Sequence, residues 1–298
     1  MASTLKPGTH RASFAIGNEH TAKHVLDLLN ESFLDGQAAI AAFEAASGRW
    51  DITMHFAEPP DRASIRELVA LAAGDKITSD ITFDVVEAKD WVKTTLEQLI
   101  PVRAGRFIVH GRHDRANVPP NKVGVEIEAA LAFGTGHHGT TRGCLLLLDH
   151  VLKAYLPRRI LDLGTGTGVL AIAAAKALHI NVLASDVDPV SVKVARQNAR
   201  LNGAGGRIAA LRVNGLSAPQ FKTNGPFDLV LANILANPLR NMATPMSRHL
   251  ASSALVILSG LLPHQAQSVV ASYCARGLIL ERHIQVEGWS SLLMRNAR

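Results

Sequence analysis

Glycine, aspartate and asparagine at the ends of apolar runs mark where this chain could do chemistry. The run Ile160-Leu161-Asp162-Leu163-Gly164-Thr165-Gly166-Thr167-Gly168 sets alternate glycines directly behind a short apolar segment. Absent Cβ atoms let such a backbone turn tightly and come close to a ligand. Asp186 ends the next apolar run, roughly 20 residues further on, where a carboxylate can accept from both hydroxyls of an adenosyl ribose. Asn233 closes another, Phe227-Asp228-Leu229-Val230-Leu231-Ala232.

Spacing decides which nucleotide the turn suits. The dinucleotide fingerprint GxGxxG would need glycine at 169, and that position is Val169, so the run reads GxGxG. S-adenosylmethionine (SAM) has no pyrophosphate to seat on a helix N-terminus; its methionine part lies over the turn instead. SAM is therefore the expected cofactor. A second run, Gly134-Thr135-Gly136-His137-His138-Gly139, matches GxGxxG letter for letter. It is poorly placed: no acidic strand end follows about 20 residues on, and the helix behind it, Thr140 to Tyr155, precedes the first strand of the sheet. It reads as a loop that closes over a ligand. His137 and His138 are adjacent on that loop and project apart, with neither HExxH nor a carboxylate pair beside them, so no metal site is expected.

An asparagine at the end of a strand can accept a hydrogen bond from an incoming amine and aim its lone pair at a sulfonium methyl. Such a transfer is an in-line displacement with a good leaving group, which chiefly needs aligned and desolvated reactants. A lysine amine would need roughly 4 to 5 kcal/mol to be neutral at pH 7, and an α-amine about 1 kcal/mol. Burial in an apolar site supplies part of the former by lowering the pKa. The plainer reading of Asn233 is an N-cap for the helix after it.

The elements that must position these residues follow from periodicity. Residues 1–88 read as a small α+β unit: a strand at Ala12 to Ile16, a helix from Glu19 to Phe33, strands at Ala38 to Phe43 and Trp50 to Phe56 around a Ser47-Gly48 turn. A second helix capped by Asp61 and a closing strand at Ile81 to Val86 complete β-α-β-β-α-β, the order of a ferredoxin-like sandwich. Residues 89–129 read as a connector, with a short helix from Asp90 to Leu99, extended segments near 106–109 and 123–127, and an exposed loop at 115–121. Over 130–298 strands and helices alternate, which predicts a parallel sheet with helices on both faces. Its last two strands, Leu278 to Ile284 and Trp289 to Met294, lack an intervening helix and should be antiparallel. That ending separates a class I SAM-dependent methyltransferase sheet, a Rossmann-like α/β fold, from an ordinary dinucleotide fold.

Composition narrows the setting. With 47% hydrophobic and 19% charged residues the chain is built to fold. Cys144 and Cys274 give neither a disulfide framework nor a zinc spacing and are expected to be two buried thiols in a reducing compartment. No apolar run approaches the roughly 18 residues of a membrane span, and the N-terminus lacks the apolar core of a signal peptide. A cytoplasmic protein is expected. The net charge of +6 suits acidic partners such as a nucleoprotein particle. The basic residues are scattered, and Trp50 and Trp91 read as packing residues, so sequence-specific nucleic-acid binding is not expected.

The stretch Ala132-Phe133-Gly134-Thr135-Gly136-His137-His138-Gly139-Thr140-Thr141, the glycine turn and Ala232-Asn233-Ile234-Leu235 together resemble the PrmA methyltransferases, which act on large-subunit ribosomal protein eleven. The late Leu258-Ser259-Gly260-Leu261-Leu262 resembles the same family. The resemblance implies that Thr141, Gly164, Asp186 and Asn233 contact SAM, and that amino groups of the ribosomal protein, lysine or N-terminal, are methylated. It also implies that residues 1–88 recognise that substrate. The candidate cofactor-binding set is then Phe133, Gly134, Thr135 and Gly136 in the loop, Thr141, Asp162, Gly164, Gly166, Asp186 and Asn233, with Asn233 also the candidate catalytic residue. The family loop usually has Thr-His-Pro where this chain has His137-His138-Gly139, which removes a proline's rigidity near the methyl group. Two other readings keep the fold: methylation of another protein's lysines or of a small amine, and a noncatalytic ribosome- or RNA-binding protein. Intact Asp186, Asn233 and glycines oppose the latter.

Overall fold

The computed structural model describes residues 9–33, 38–44, 49–56, 58–86, 101–127 and 138–297. It divides into two compact units, Met1–Glu97 and Gln98–Arg298.

In the first unit the elements run β1 (Thr9–Ile16), α1 (Glu19–Ser32), β2 (Ala38–Glu44), β3 (Trp50–Phe56), α2 (Arg62–Ala73), a single turn α3 (Asp75–Thr78) and β4 (Thr82–Val86). The sheet order is β2-β3-β1-β4, with every neighbour antiparallel. Alternation in β1 turns Ala12, Phe14 and Ile16 inward with Ile52 and Met54 of β3, against Val25 and Leu29 of α1 and Ile65 and Val69 of α2. Asp61 caps α2 as its sequence position predicts, its carboxylate accepting from Ala63 N at 3.0 Å and Ser64 Oγ at 2.8 Å. The Ser47-Gly48 turn and the helix expected from Asp90 to Leu99 lie outside the described residues.

The second unit opens with β5 (Val102–Ala104), β6 (Phe107–His110), a 3-10 turn (Arg112–Asn117) and β7 (Val123–Glu126), a small sheet in the order β5-β6-β7. This part of the expected connector packs into the second unit. Phe107, Val109 and Val125 are buried in one cluster with helices α4 (His138–Ala154) and α5 (Val169–Leu178). The buried Asp149 of α4 reaches Arg106 Nε at 2.6 Å, and Lys153 Nζ at 2.9 Å.

The main sheet is formed by β8 (Ile160–Leu163), β9 (Val182–Asp186), β10 (Ile208–Arg212), β11 (Phe227–Asn233), β12 (Leu250–Leu261), β13 (Leu278–Val286) and β14 (Trp289–Asn296), in the order β10-β9-β8-β11-β12-β14-β13. Neighbours from β10 to β12 are parallel, and β14 enters antiparallel between β12 and β13. Helices α6 (Pro189–Leu201), α7 (Pro219–Asn224), α8 (Ala236–Ser247) and α9 (Pro263–Cys274) complete the unit. Leu229 and Leu231 pack with α4, α5 and α6, whereas Val230 and Ala232 pack with α8 and α9. Both faces are therefore covered, which is why these strands read as unbroken apolar runs. Cys144 is buried, but Cys274 is exposed because it is the last residue of α9. That corrects the expectation of two buried thiols. Among the described residues no helix is long and apolar enough to cross a membrane.

Candidate functional site

Strand order reverses between β8 and β11, and in open α/β sheets ligands bind beyond the strand ends at such a point. The glycine turn leaves β8 there, Asp186 ends β9, and Asn233 ends β11. Phe133, Gly134, Thr135 and Gly136 lie outside the described residues.

The turn is built from local chemistry. Gly164, Gly166 and Gly168 have φ of +68°, +53° and +82°, the left-handed region that other residues avoid. Ser185 O on β9 accepts from Gly164 N at 2.8 Å and Thr165 N at 2.9 Å, pinning the turn to the neighbouring strand. Asp162 lies beneath it, almost wholly buried, with Oδ2 accepting from Thr165 Oγ1 at 2.6 Å and Ala171 N at 3.0 Å. This geometry makes Asp162 the brace that joins the turn to α5.

Burial pushes the Asp162 carboxyl from 3.8 up to about 6; the Thr165 and Ala171 hydrogen bonds pull the other way, and nearby Asp186 adds to the rise. With its folded pKa above its unfolded one, the folded chain holds more protons between these values. Stability therefore falls as pH rises through that window. Asp162→Asn removes this titration, so the variant should gain on the wild type by up to about 3 kcal/mol between pH 4 and 6, then level off. Urea unfolding of the second unit at stepped pH measures the difference. A pH-independent difference would reject the assignment.

Asp186 is held for a different task. Its Oδ2 accepts from Gly166 N at 2.9 Å and its Oδ1 from Asp188 N at 3.0 Å. Asp188 is itself fixed as the N-cap of α6, accepting from Val190 N and Ser191 N ahead of Pro189 at the first helical position. Each carboxylate oxygen of Asp186 keeps a further lone pair, the acceptor pattern that two vicinal hydroxyls require.

Asn233 is half-buried, and its Nδ2 donates to Thr140 Oγ1 on α4 at 3.3 Å. With Nδ2 engaged, Oδ1 is available as an acceptor. The N-cap reading of Asn233 is not realised: Leu235 occupies the cap position of α8, and no side chain caps it. Thr141 is buried in the same turn of α4, one position beyond the threonine that meets Asn233.

Sequence reasoning passed over three contributors. Thr140 had no signal beyond its place beside Thr141. Gly143 sits in α4 against β14. Gly260, with φ +86°, allows the backbone of Ile234 to lie against β12; a Cβ there would overlap Ile234 O and stand 2.8 Å from its carbonyl carbon. A Cβ on Gly164 would overlap the Ile234 side chain from the other direction. The residue following Asn233 is thus seated between two glycines far apart in sequence.

The family profile described as ribosomal protein L11 methyltransferase (PrmA) matches residues 15–297. A ribosomal protein L11 methyltransferase of Bradyrhizobium diazoefficiens is 66% identical over 287 residues, covering 96% of this chain and 97% of its own. One from Agrobacterium fabrum is 45% identical over 283 residues, covering 93% of this chain and 96% of its own. The crystal structure of a ribosomal protein L11 methylase from Lactobacillus delbrueckii subsp. bulgaricus superposes with a TM-score of 0.60 at 27% identity, covering 66% of this chain and 99% of that one. With its glycine turn, acidic strand end and Asn233 gathered at one sheet reversal, and a match running through nearly its whole length, the chain belongs to the ribosomal protein L11 methyltransferase (PrmA) family.

Proposed function

We propose that this chain is a SAM-dependent protein N-methyltransferase that modifies lysine side-chain or N-terminal amino groups of ribosomal protein L11, free or on the ribosome, in the cytoplasm. The observation that carries the reading is Asn233 at the strand reversal, its Nδ2 on Thr140 and its Oδ1 left to accept from an amine.

The residues present fit the cofactor. Asp186 would hold the ribose hydroxyls, and Gly164 and Gly166 would lie under the methionine part, with Asp162 bracing the turn from below. Thr141 and the loop residues Phe133, Gly134, Thr135 and Gly136 would cover it. Bound there, SAM supplies an electrophilic methyl group. Asn233 Oδ1 accepts an N–H of the incoming amine and so orients its lone pair. The protein's part is alignment and exclusion of water rather than strong base catalysis.

Residues 1–88 serve in this reading as a ferredoxin-like substrate-recognition domain, supported by the order β2-β3-β1-β4 with antiparallel neighbours. Residues 130–298 carry the cofactor and the chemistry. Membrane attachment and sequence-specific nucleic-acid contact form no part of it. Incubation of the full chain with SAM and purified ribosomal protein L11 should add mass in steps of about 14 Da per methyl. An unmodified L11 beside enzyme that binds SAM and methylates a small amine would move the acceptor elsewhere.

A further inference from the structure

We infer that the underside of α4 sets the orientation of the Asn233 carboxamide, with Thr140 and the Gly143–Ser291 contact as its positioning residues; the inference rests on the role given to Asn233 above. One face of the helix meets three neighbouring strands through small residues. Thr140 Oγ1 accepts from Asn233 Nδ2 of β11 at 3.3 Å. Cys144, the next residue after Gly143, is fully buried in one core cluster with Ile257 of β12. Gly143 lies directly on Ser291 of β14, where a Cβ would overlap Ser291 Oγ and stand 3.0 Å from Ser291 Cβ. Turning Ser291 aside would break the hydrogen bond between its Oγ and Ser259 Oγ, 2.7 Å apart, and Ser259 is the residue paired beside Asn233 in the sheet.

One turn earlier the same close approach recurs. A Cβ on Gly139 would stand 2.6 Å from Val286 O and 2.9 Å from Trp289 Cδ1, at the tip of the β13–β14 hairpin. Arg142 Nη1 pairs with Glu287 Oε1 of that tip at 2.8 Å. Gly143, inside the helix, costs about 1 kcal/mol relative to alanine. Two glycines within one turn are explained by proximity: they let α4 sit closer to β14 than a side chain allows. Gly139 is thus a packing residue between the helix and the hairpin. Lifting α4 by about 1 Å would stretch the Thr140–Asn233 bond beyond hydrogen-bonding distance, and misplacement on that scale slows reactions strongly.

The test compares Thr140→Val, Thr140→Ser, Gly143→Ala and the double variant Gly143→Ala with Ser291→Gly, all in the full chain. Two readouts are taken: the side-chain amide resonance of Asn233 in nitrogen-15-labelled protein without cofactor, and kcat and KM for methyl transfer to L11. Thr140→Val and Gly143→Ala should shift the resonance and lower kcat about tenfold with KM within about twofold. Thr140→Ser and the double variant should restore both. An unmoved resonance with normal kcat in Thr140→Val overturns the proposal, as does a Gly143→Ala defect that Ser291→Gly does not relieve. Should Gly143→Ala not fold, the threonine pair decides. Wild-type turnover in Asn233→Ala would instead remove the role of Asn233, and the resonance would still report whether α4 holds its amide.

Discussion

Asn233→Ala is expected to lower the turnover of methyl transfer about 100-fold, the scale associated with losing the alignment of reacting groups. The substitution removes the acceptor oxygen at the reversal point and the donor that ties β11 to Thr140 of α4. Asn233→Asp keeps an acceptor for the incoming amine, so this variant should lose less. Initial rates at saturating cofactor, paired with calorimetric SAM affinity, separate the two contributions. Turnover of the alanine variant within threefold of wild type would remove Asn233 from the mechanism.

Gly260→Ala should produce the largest loss of stability. Its φ of +86° penalises any side chain by about 1–2 kcal/mol. The added methyl meets the Ile234 backbone, which has no rotamer to change, and overpacking of this kind costs about 1–3 kcal/mol more. In a unit of this size the sum corresponds to a fall in Tm of roughly 5–15 °C. Gly164→Ala is the informative comparison. There the methyl meets Ile234 Cγ2, a side-chain atom that can rotate, so stability should fall less while cofactor affinity suffers. Thermal unfolding of both variants, followed by circular dichroism, checks the order. Equal Tm values for Gly260→Ala and wild type would mean the β11 and β12 ends are not packed as described.

Much of this organisation is local and so could be read before any coordinates. The glycine turn needs only backbone freedom at Gly164, Gly166 and Gly168, and Asp61 and Asp188 cap helices through atoms two or three residues away. Strands such as Val230-Leu231-Ala232 announce themselves because burial on both faces leaves no polar alternation. Their ends, and with them Asp186 and Asn233, follow directly. Short elements were not legible: α7 spans Pro219–Asn224 and β5 only Val102–Ala104, too little chain to show a period. The small sheet at 101–127 read as a connector because its apolar residues acquire a core only when α4 and α5 are laid against it.

Local pattern was enough to establish the parallel α/β unit, the SAM-type turn and the residues at three strand ends, since each depends on neighbours within a few positions. Tertiary structure alone decided that β14 inserts between β12 and β13, bringing Ser291 beside Ser259. It decided that Thr140 meets Asn233, and that Ile234 is seated between Gly164 and Gly260. Those contacts join residues separated by long stretches of chain, and their closeness is set by how far helices and strands can approach. Propensity and period carry no record of that distance.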